Sequence, residues 1–182
     1  MNNVVPRAVR LESSFAYLVY RSARLLRYDF ACLMAERGLE ATQEQWFILN
    51  KLAEQPGQSQ TELCDGVFID RPNLTRMLMT MERNGLLHRD SDRDDGRKLL
   101  VSLTAKGIAL HARIRDAVLA RRERLFDGLT QKDLQQLRHV LSTLEANITS
   151  MRDAQNADGK EPGRPSAPSR KGAASQSSDA DE

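Results

Sequence analysis

Cysteine is scarce in this chain: Cys32 and Cys64 are the only two among 182 residues. They stand far apart with no CxxC spacing, which excludes a disulfide framework and a zinc ribbon and fits a reducing compartment. The three histidines, His88, His111 and His139, are equally scattered, with no i, i+4 pair to grip a metal. Long apolar runs are missing too. No stretch approaches the ~20 residues of a membrane-spanning helix, and the N-terminus has no apolar core of a secretory signal. There is no Ser-His-Asp order, phosphate-binding glycine loop or pair of acid–base carboxylates, so neither an enzyme nor a cofactor is expected. Charge of one sign is lacking as well: 27 Lys and Arg against 25 Asp and Glu leave a formal +2. Any attraction to nucleic acid must come from where the charges sit, not from their sum. The expectation is a soluble cytoplasmic protein, off the membrane, with one core of ordinary size.

What is present is organised around residues 69–85, IDRPNLTRMLMTMERNG. Leu74, Met77, Leu78 and Met81 recur at i, i+3, i+4 and i+7, which predicts one apolar face of a helix. Asp70 is placed to cap its start, and Pro72 falls in the first turn, where a missing N–H costs little. Gly85 is placed as the C′ glycine, with Leu86 as the apolar residue that closes such a cap. The opposite face carries Pro72, Thr75, Arg76 and Arg83, with Asn73 beside it and Glu82 the sole acid at its margin. A cationic, hydrogen-bonding helix of this kind suits a DNA major groove. Taken in isolation it would better suit a solvated surface.

Its neighbours decide between the two. Thr42 with Gln45 makes a capping box for a helix through Trp46, Phe47, Leu49 and Leu52, which Pro56-Gly57 breaks. Ser59 with Glu62 makes a second box for a short helix from Gln60 to about Gly66. Short helix, brief turn over 67–69 and basic helix are the order of a helix-turn-helix. Leu86 to Arg89 then reads as a strand, the polar stretch 90–98 as a hairpin loop, and the alternating Leu99–Leu103 as a second strand. Together these make a winged helix, with the DNA-binding part at about 42–104.

Helical patterns flank this unit. Leu11, Phe15, Leu18, Ser22 and Leu25 repeat at four- and three-residue steps, with Val19, Leu26, Phe30 and Leu33 widening the stripe up to Gly38. That is more apolar surface than one neighbour can cover. Thr104 caps another long helix through Ile108, Ile114, Val118 and Leu125. Thr130 with Asp133 starts the last, whose stripe runs Leu134, Leu137, Leu141, Leu144, Ile148, Met151. The fold class expected is mainly α with a small β wing: a winged helix-turn-helix whose N- and C-terminal helices form a dimerisation lobe, with Leu11, Phe15, Leu18, Leu134, Leu137, Leu141, Leu144 and Ile148 in the interface. Residues 1–10 read as a flexible lead-in and 11–154 as the folded unit. From 155 to 182 Leu, Ile, Val and aromatics vanish, so this stretch reads as a disordered tail.

Two stretches, RPNLTRMLMTMERNGLLHR and DRDDGRKLLVSLTAKG, together resemble the MarR family of bacterial transcription regulators. The family pattern of L/M-E-x-x-G-L-aliphatic-x-R is met by Met81 to Arg89, its D-x-R wing tip by Asp95-Gly96-Arg97, and its L-T-x-x-G by Leu103 to Gly107. Asp94 departs from it, lying where many members carry a basic residue. The resemblance implies a homodimer on double-stranded DNA, most simply a ligand-responsive repressor on a near-palindromic operator. Its recognition helices would enter successive major grooves, with half-sites about 10 bp apart, and its wings the flanking minor grooves. It also implies a small aromatic or phenolic effector held between the two lobes. Family members that sense peroxide carry a cysteine near the start of the first helix; Phe15-Ala16-Tyr17 has none, so Cys32 and Cys64 are expected as apolar filling.

Within that frame Arg97 is the residue to enter a minor groove, with Asp95 holding it or an adjacent Arg, and Arg93 and Lys98 contacting phosphate. Pro72, Asn73, Thr75 and Arg76 form the groove-facing set. Arg76 could read guanine and Asn73 adenine or phosphate. Arg71 is a further phosphate contact. Ser59, Gln60 and Thr61, at a helix N-terminus, are phosphate donors in addition to the capping role of Ser59. The alternative is a winged helix kept for protein interaction after loss of DNA binding, encouraged only by Asp92, Asp94 and Asp95.

Overall fold

A computed structural model describes Leu11 and residues 14–91 and 99–157. The elements run α1 (Phe15–Glu36), α2 (Gln43–Glu54), β1 (Gln58–Ser59), α3 (Gln60–Val67), α4 (Arg71–Arg83), β2 (Leu87–Ser91), β3 (Leu99–Leu103), α5 (Ala105–Leu125) and α6 (Gln131–Ala157). The mainly helical winged helix-turn-helix is therefore present, with differences at its edges. α1 begins at Phe15, because the Ser14 hydroxyl accepts the N–H of Tyr17 and caps the helix there. α6 runs to Ala157, past the boundary expected at 154. β2 continues two residues beyond Arg89, and the sheet has three strands in the order β1-β3-β2, all antiparallel.

Side chain–backbone caps set most boundaries. Both capping boxes form, Thr42 with Gln45 and Ser59 with Glu62. A third joins Thr130 and Asp133: the Thr130 N–H donates to Asp133 Oδ2 at 2.8 Å, and the Thr130 hydroxyl accepts the Asp133 N–H at 3.2 Å. Between α3 and α4 the chain turns on Phe68, which adopts φ 52°, ψ 43° and donates its N–H to Cys64 O. A left-handed Phe costs ~1–2 kcal/mol, and the turn between the two helices retains it.

The core sits where α2, α3, α4, α5 and the sheet meet. Ile48, Leu49, Leu52, Leu63, Leu74, Leu78, Met81, Leu87, Val101 and Ile114 are fully buried there. Each such side chain contributes about 1.5–3 kcal/mol. α1 joins this core only through its last turns, at Phe30, Leu33 and Met34. Arg121 of α5 ties the same end down, its Nη2 lying 2.5 Å from Asp29 Oδ1 and its Nη1 3.2 Å from Glu36 Oε2. The remainder of α1 and almost all of α6 stand off the body.

Candidate nucleic-acid interface

The recognition helix is built as its sequence dictates. Leu74, Leu78 and Met81 are buried and Met77 half-buried, so the opposite face is turned outward. Its C-terminus is a full Schellman motif: the Gly85 N–H donates to Glu82 O at 2.8 Å and the Leu86 N–H to Met81 O at 2.9 Å. Gly85 at φ +70° makes that reversal possible, since L side chains rarely adopt this conformation. At the other end Asp70 caps the helix through the Asn73 N–H at 2.9 Å. The Asp70 carboxyl is held below its ordinary value, first by that backbone N–H and further by the Asn73 side chain and the charge on Arg76.

Arg71, Pro72 and Arg76 are exposed, while Asn73 and Thr75 are half-buried. The polar members of the set are bound to one another. Asn73 Nδ2 donates to Asp70 Oδ2, and Arg76 Nη2 donates to Asn73 Oδ1. The Thr75 hydroxyl donates to Arg71 O at 2.8 Å and accepts from Gln60 Nε2, which docks the start of α3 against α4. Gln60 is thus engaged within the protein. Ser59 is engaged by Glu62, and Thr61 is exposed on the first turn of α3. The four wing residues Arg93, Asp95, Arg97 and Lys98 lie outside the described residues.

Two features of this surface add to the residues expected there, the first legible from helical spacing and the second only from the structure. Met79 lies 58% exposed on the outward face of α4, in line with Pro72, Arg76 and Arg83. An apolar side chain there suits a thymine methyl. Glu82 and Arg89, both within the motif quoted above, form an ion pair, Nε to Oε2 at 3.3 Å, that holds strand β2 against the helix. The pair lacks hydrogen-bond geometry, so the buried Arg89 Nε and Nη2 make no hydrogen bond.

The positions expected to pair two protomers are largely uncovered. Leu11, Phe15, Leu18, Leu137, Leu144 and Ile148 are exposed, and Leu134 and Leu141 half-buried. A cleft of about 420 Å³ lies where the α1–α2 connection meets α5, with Leu39, Leu86, Leu110, Lys106 and Arg113 on its walls. It also touches Asn84, whose carbonyl accepts Lys106 Nζ at 2.8 Å. Among the described residues there is no cluster of metal-ligating side chains, and no helix is long and apolar enough to cross a membrane.

The MarR family model matches residues 41–99, the segment from just before α2 to the first residue of β3. The homoprotocatechuate degradative operon repressor of Escherichia coli is 38% identical over 100 residues, which span 55% of this chain and 68% of that protein. The structure of the transcriptional repressor CouR bound to a 23-mer DNA duplex superposes with TM-score 0.68 and 31% identity, covering 74% of this chain and 94% of CouR. The PcaV transcriptional regulator of Streptomyces coelicolor, solved with its natural ligand, shares the fold at TM-score 0.67 and 24% identity, over 76% of this chain and 96% of its own. With these relatives, its helix-turn-helix and its wing strands, the chain belongs to the MarR family of DNA-binding transcriptional regulators.

Proposed function

We propose that this protein is a cytoplasmic homodimeric repressor, regulatory rather than catalytic, that releases its operator when a small aromatic or phenolic acid binds. The observation carrying this reading is the outward, cationic face of α4, capped at both ends and set beside a wing. A two-fold dimer presents two such faces, and half-sites about 10 bp apart place them in successive major grooves. Arg71 and the wing cations Arg93, Arg97 and Lys98 supply the phosphate and minor-groove contacts, with Asp95 steadying the tip. Ser59 and Thr61 approach the backbone from the N-terminus of α3.

The cleft beside α5 supports the effector half of the reading. Its volume of about 420 Å³ suits a single-ring acid. Leu39, Leu86 and Leu110 offer apolar walls, and the cations Lys106, which also holds the Asn84 carbonyl, and Arg113 outnumber the one acidic lining residue, Glu40, in favour of a carboxylate. It also adjoins the C-terminal cap of α4, so an occupant there acts on the recognition helix directly. The Escherichia coli relative is named for repressing a homoprotocatechuate degradative operon, and homoprotocatechuate is a phenolic acid. An effector that binds the DNA-incompetent arrangement better lowers operator affinity by that difference.

The test is a gel-shift titration on DNA upstream of the protein's own gene, at several salt concentrations, with and without a panel of phenolic carboxylates. Sequence-dependent binding that weakens steeply with salt, and is relieved by at least one acid, supports the reading. Equal binding to every sequence would overturn it.

A further inference from the structure

The hydrogen bonds along the exposed edge of α4 form a chain with a direction. Asp70 grips Asn73 twice, its Oδ1 accepting the backbone N–H at 2.9 Å and its Oδ2 accepting Nδ2–H at 2.5 Å. Asn73 Oδ1 then accepts a hydrogen from Arg76 Nη2. The two ends of the Asn73 amide therefore point to different partners, one toward the helix start and the other toward Arg76. An asparagine that reads adenine presents Oδ1 and Nδ2 together to the base. Here each atom already serves a side chain, and the residue is half-buried.

Arg76 is in the opposite position. It is exposed, and it has given up one hydrogen of Nη2. A guanidinium has two two-pronged edges that share Nη2, one with Nε and one with Nη1. Spending either hydrogen of Nη2 leaves one edge whole. That edge can donate two hydrogen bonds to guanine O6 and N7. Fixing the guanidinium beforehand also removes part of the rotamer entropy that a free arginine loses on binding. Asp70 anchors the chain through its two hydrogen bonds from Asn73, and the Asn73 backbone N–H, the larger cause, lowers its carboxyl pKa and favours the ionised, accepting form.

We propose that Arg76 is the base-reading side chain of this helix, selecting guanine, and that Asn73 is a positioning residue that aims it, itself held by the N-capping Asp70. The assignment rests on the reading that α4 enters a major groove.

The experiment is selection from a random duplex pool by the full-length wild type and by Asn73→Ala, Arg76→Ala, the double variant and Asn73→Asp, each first shown to keep its helical content. Arg76→Ala is expected to relax one guanine per half-site, by on the order of tenfold. Asn73→Ala should relax that same position and no other, and the double variant should be no more relaxed than Arg76→Ala. Asn73→Asp keeps an acceptor for Arg76 but gives up the Nδ2–H that Asp70 accepts, so guanine should stay preferred at that position, less strictly than in the wild type and more strictly than in Asn73→Ala, while the added negative charge weakens binding overall. Relaxation of a separate adenine position by Asn73→Ala, with guanine still strictly selected, would overturn the assignment. So would an unchanged pattern in Asn73→Ala, or an Arg76→Ala variant that relaxes no guanine. A wild type that enriches no sequence at all would remove the DNA-binding reading and this assignment with it, whereas an enriched operator with the wrong variant pattern removes only the assignment.

Discussion

Gly107 lies so close to Leu86 that a Cβ on the glycine would sit 2.0 Å from the Leu86 carbonyl oxygen. Leu86 is where three elements meet. Its N–H closes the cap of α4 on Met81 O, and its carbonyl accepts the Thr104 N–H at 3.1 Å, one residue before α5 begins. Its side chain is buried. The recognition helix and the long helix α5 are thus joined at one residue. The glycine of the L-T-x-x-G motif is there because α5 meets the backbone of the chain just past the α4 cap.

Gly107→Ala should therefore be costly, since the atom in the way is backbone. A loss of about 3 kcal/mol is expected in urea unfolding, at the upper end of ordinary overpacking. Gly85→Ala is the control. It has positive φ but no atom nearer than Lys106 Cδ at 4.0 Å, so only the conformational penalty of about 1 kcal/mol applies. Equal losses in the two variants would mean that α5 can retreat from Leu86 without cost.

These two glycines also mark how far the sequence is legible. Gly85 could be read directly, because a C′ glycine followed by an apolar residue is a local signal. Gly107 carries no local signal beyond its motif, as its constraint comes from a chain segment some twenty residues away. The same division holds elsewhere. Thr42, Ser59, Asp70, Thr104 and Thr130 cap the helices they stand before, since a cap involves three or four consecutive residues. Strand β1 could not be seen. It is two residues long, and Gln58 is a polar side chain buried only because its amide donates to Lys51 O and Gln55 O, both at 2.9 Å. The cleft was invisible for the same reason, being assembled from three separated segments, and so was the order in which Asp70, Asn73 and Arg76 are linked.

His111 makes stability depend on pH in a window that can be named. Its ring stacks on Trp46 with centroids 5.1 Å apart, and its Nε2 lies 3.2 Å from Asn50 Oδ1. Burial lowers its pKa below the ordinary 6.5, and the neighbouring Arg115 charge adds to the effect against an opposing contribution from Glu54. The unfolded chain therefore takes up a proton near 6.5, whereas the folded chain does so only at lower pH. The stabilising contribution is complete above 6.5 and is lost as pH falls from there through the folded value. Melting temperatures followed from neutral to mildly acidic pH should fall more steeply for the wild type than for His111→Gln. Parallel slopes would show that protonation of this ring costs the fold nothing.

Arg113 provides the test of the cleft apart from the operator. It lines the cleft with Lys106, but only Lys106 is tied to Asn84, so Arg113 can be removed without loosening the end of α4. Arg113→Ala should bind operator as the wild type does and need a higher concentration of phenolic carboxylate for release, by on the order of tenfold for one charge-assisted hydrogen bond. An effector titration identical to that of the wild type would place the acid elsewhere.

The uncovered stripe of α6 makes the last prediction. Leu137 is 50% exposed, Leu144 43% and Ile148 46%, and on α1 Phe15 is 85% exposed. These side chains lie on α6 and on the first turn of α1, away from the core, and in the homodimer proposed above the surface that buries them is the second copy's. Leu144→Glu with Ile148→Glu places two carboxylates in that seam without touching the core, whose buried residues, among those described, lie between Phe30 and Ala117. The double variant should sediment as a monomer while keeping its winged helix. Joining two half-site contacts through one dimer raises overall affinity by 10²- to 10⁴-fold, so binding to the full operator should fall by at least about 100-fold. Binding to an isolated half-site should hardly change, because each recognition helix and wing remains intact. A variant that stays dimeric, or a monomer that holds the full operator as tightly as the wild type, would show that α1 and α6 do not set the spacing of the two DNA-reading helices.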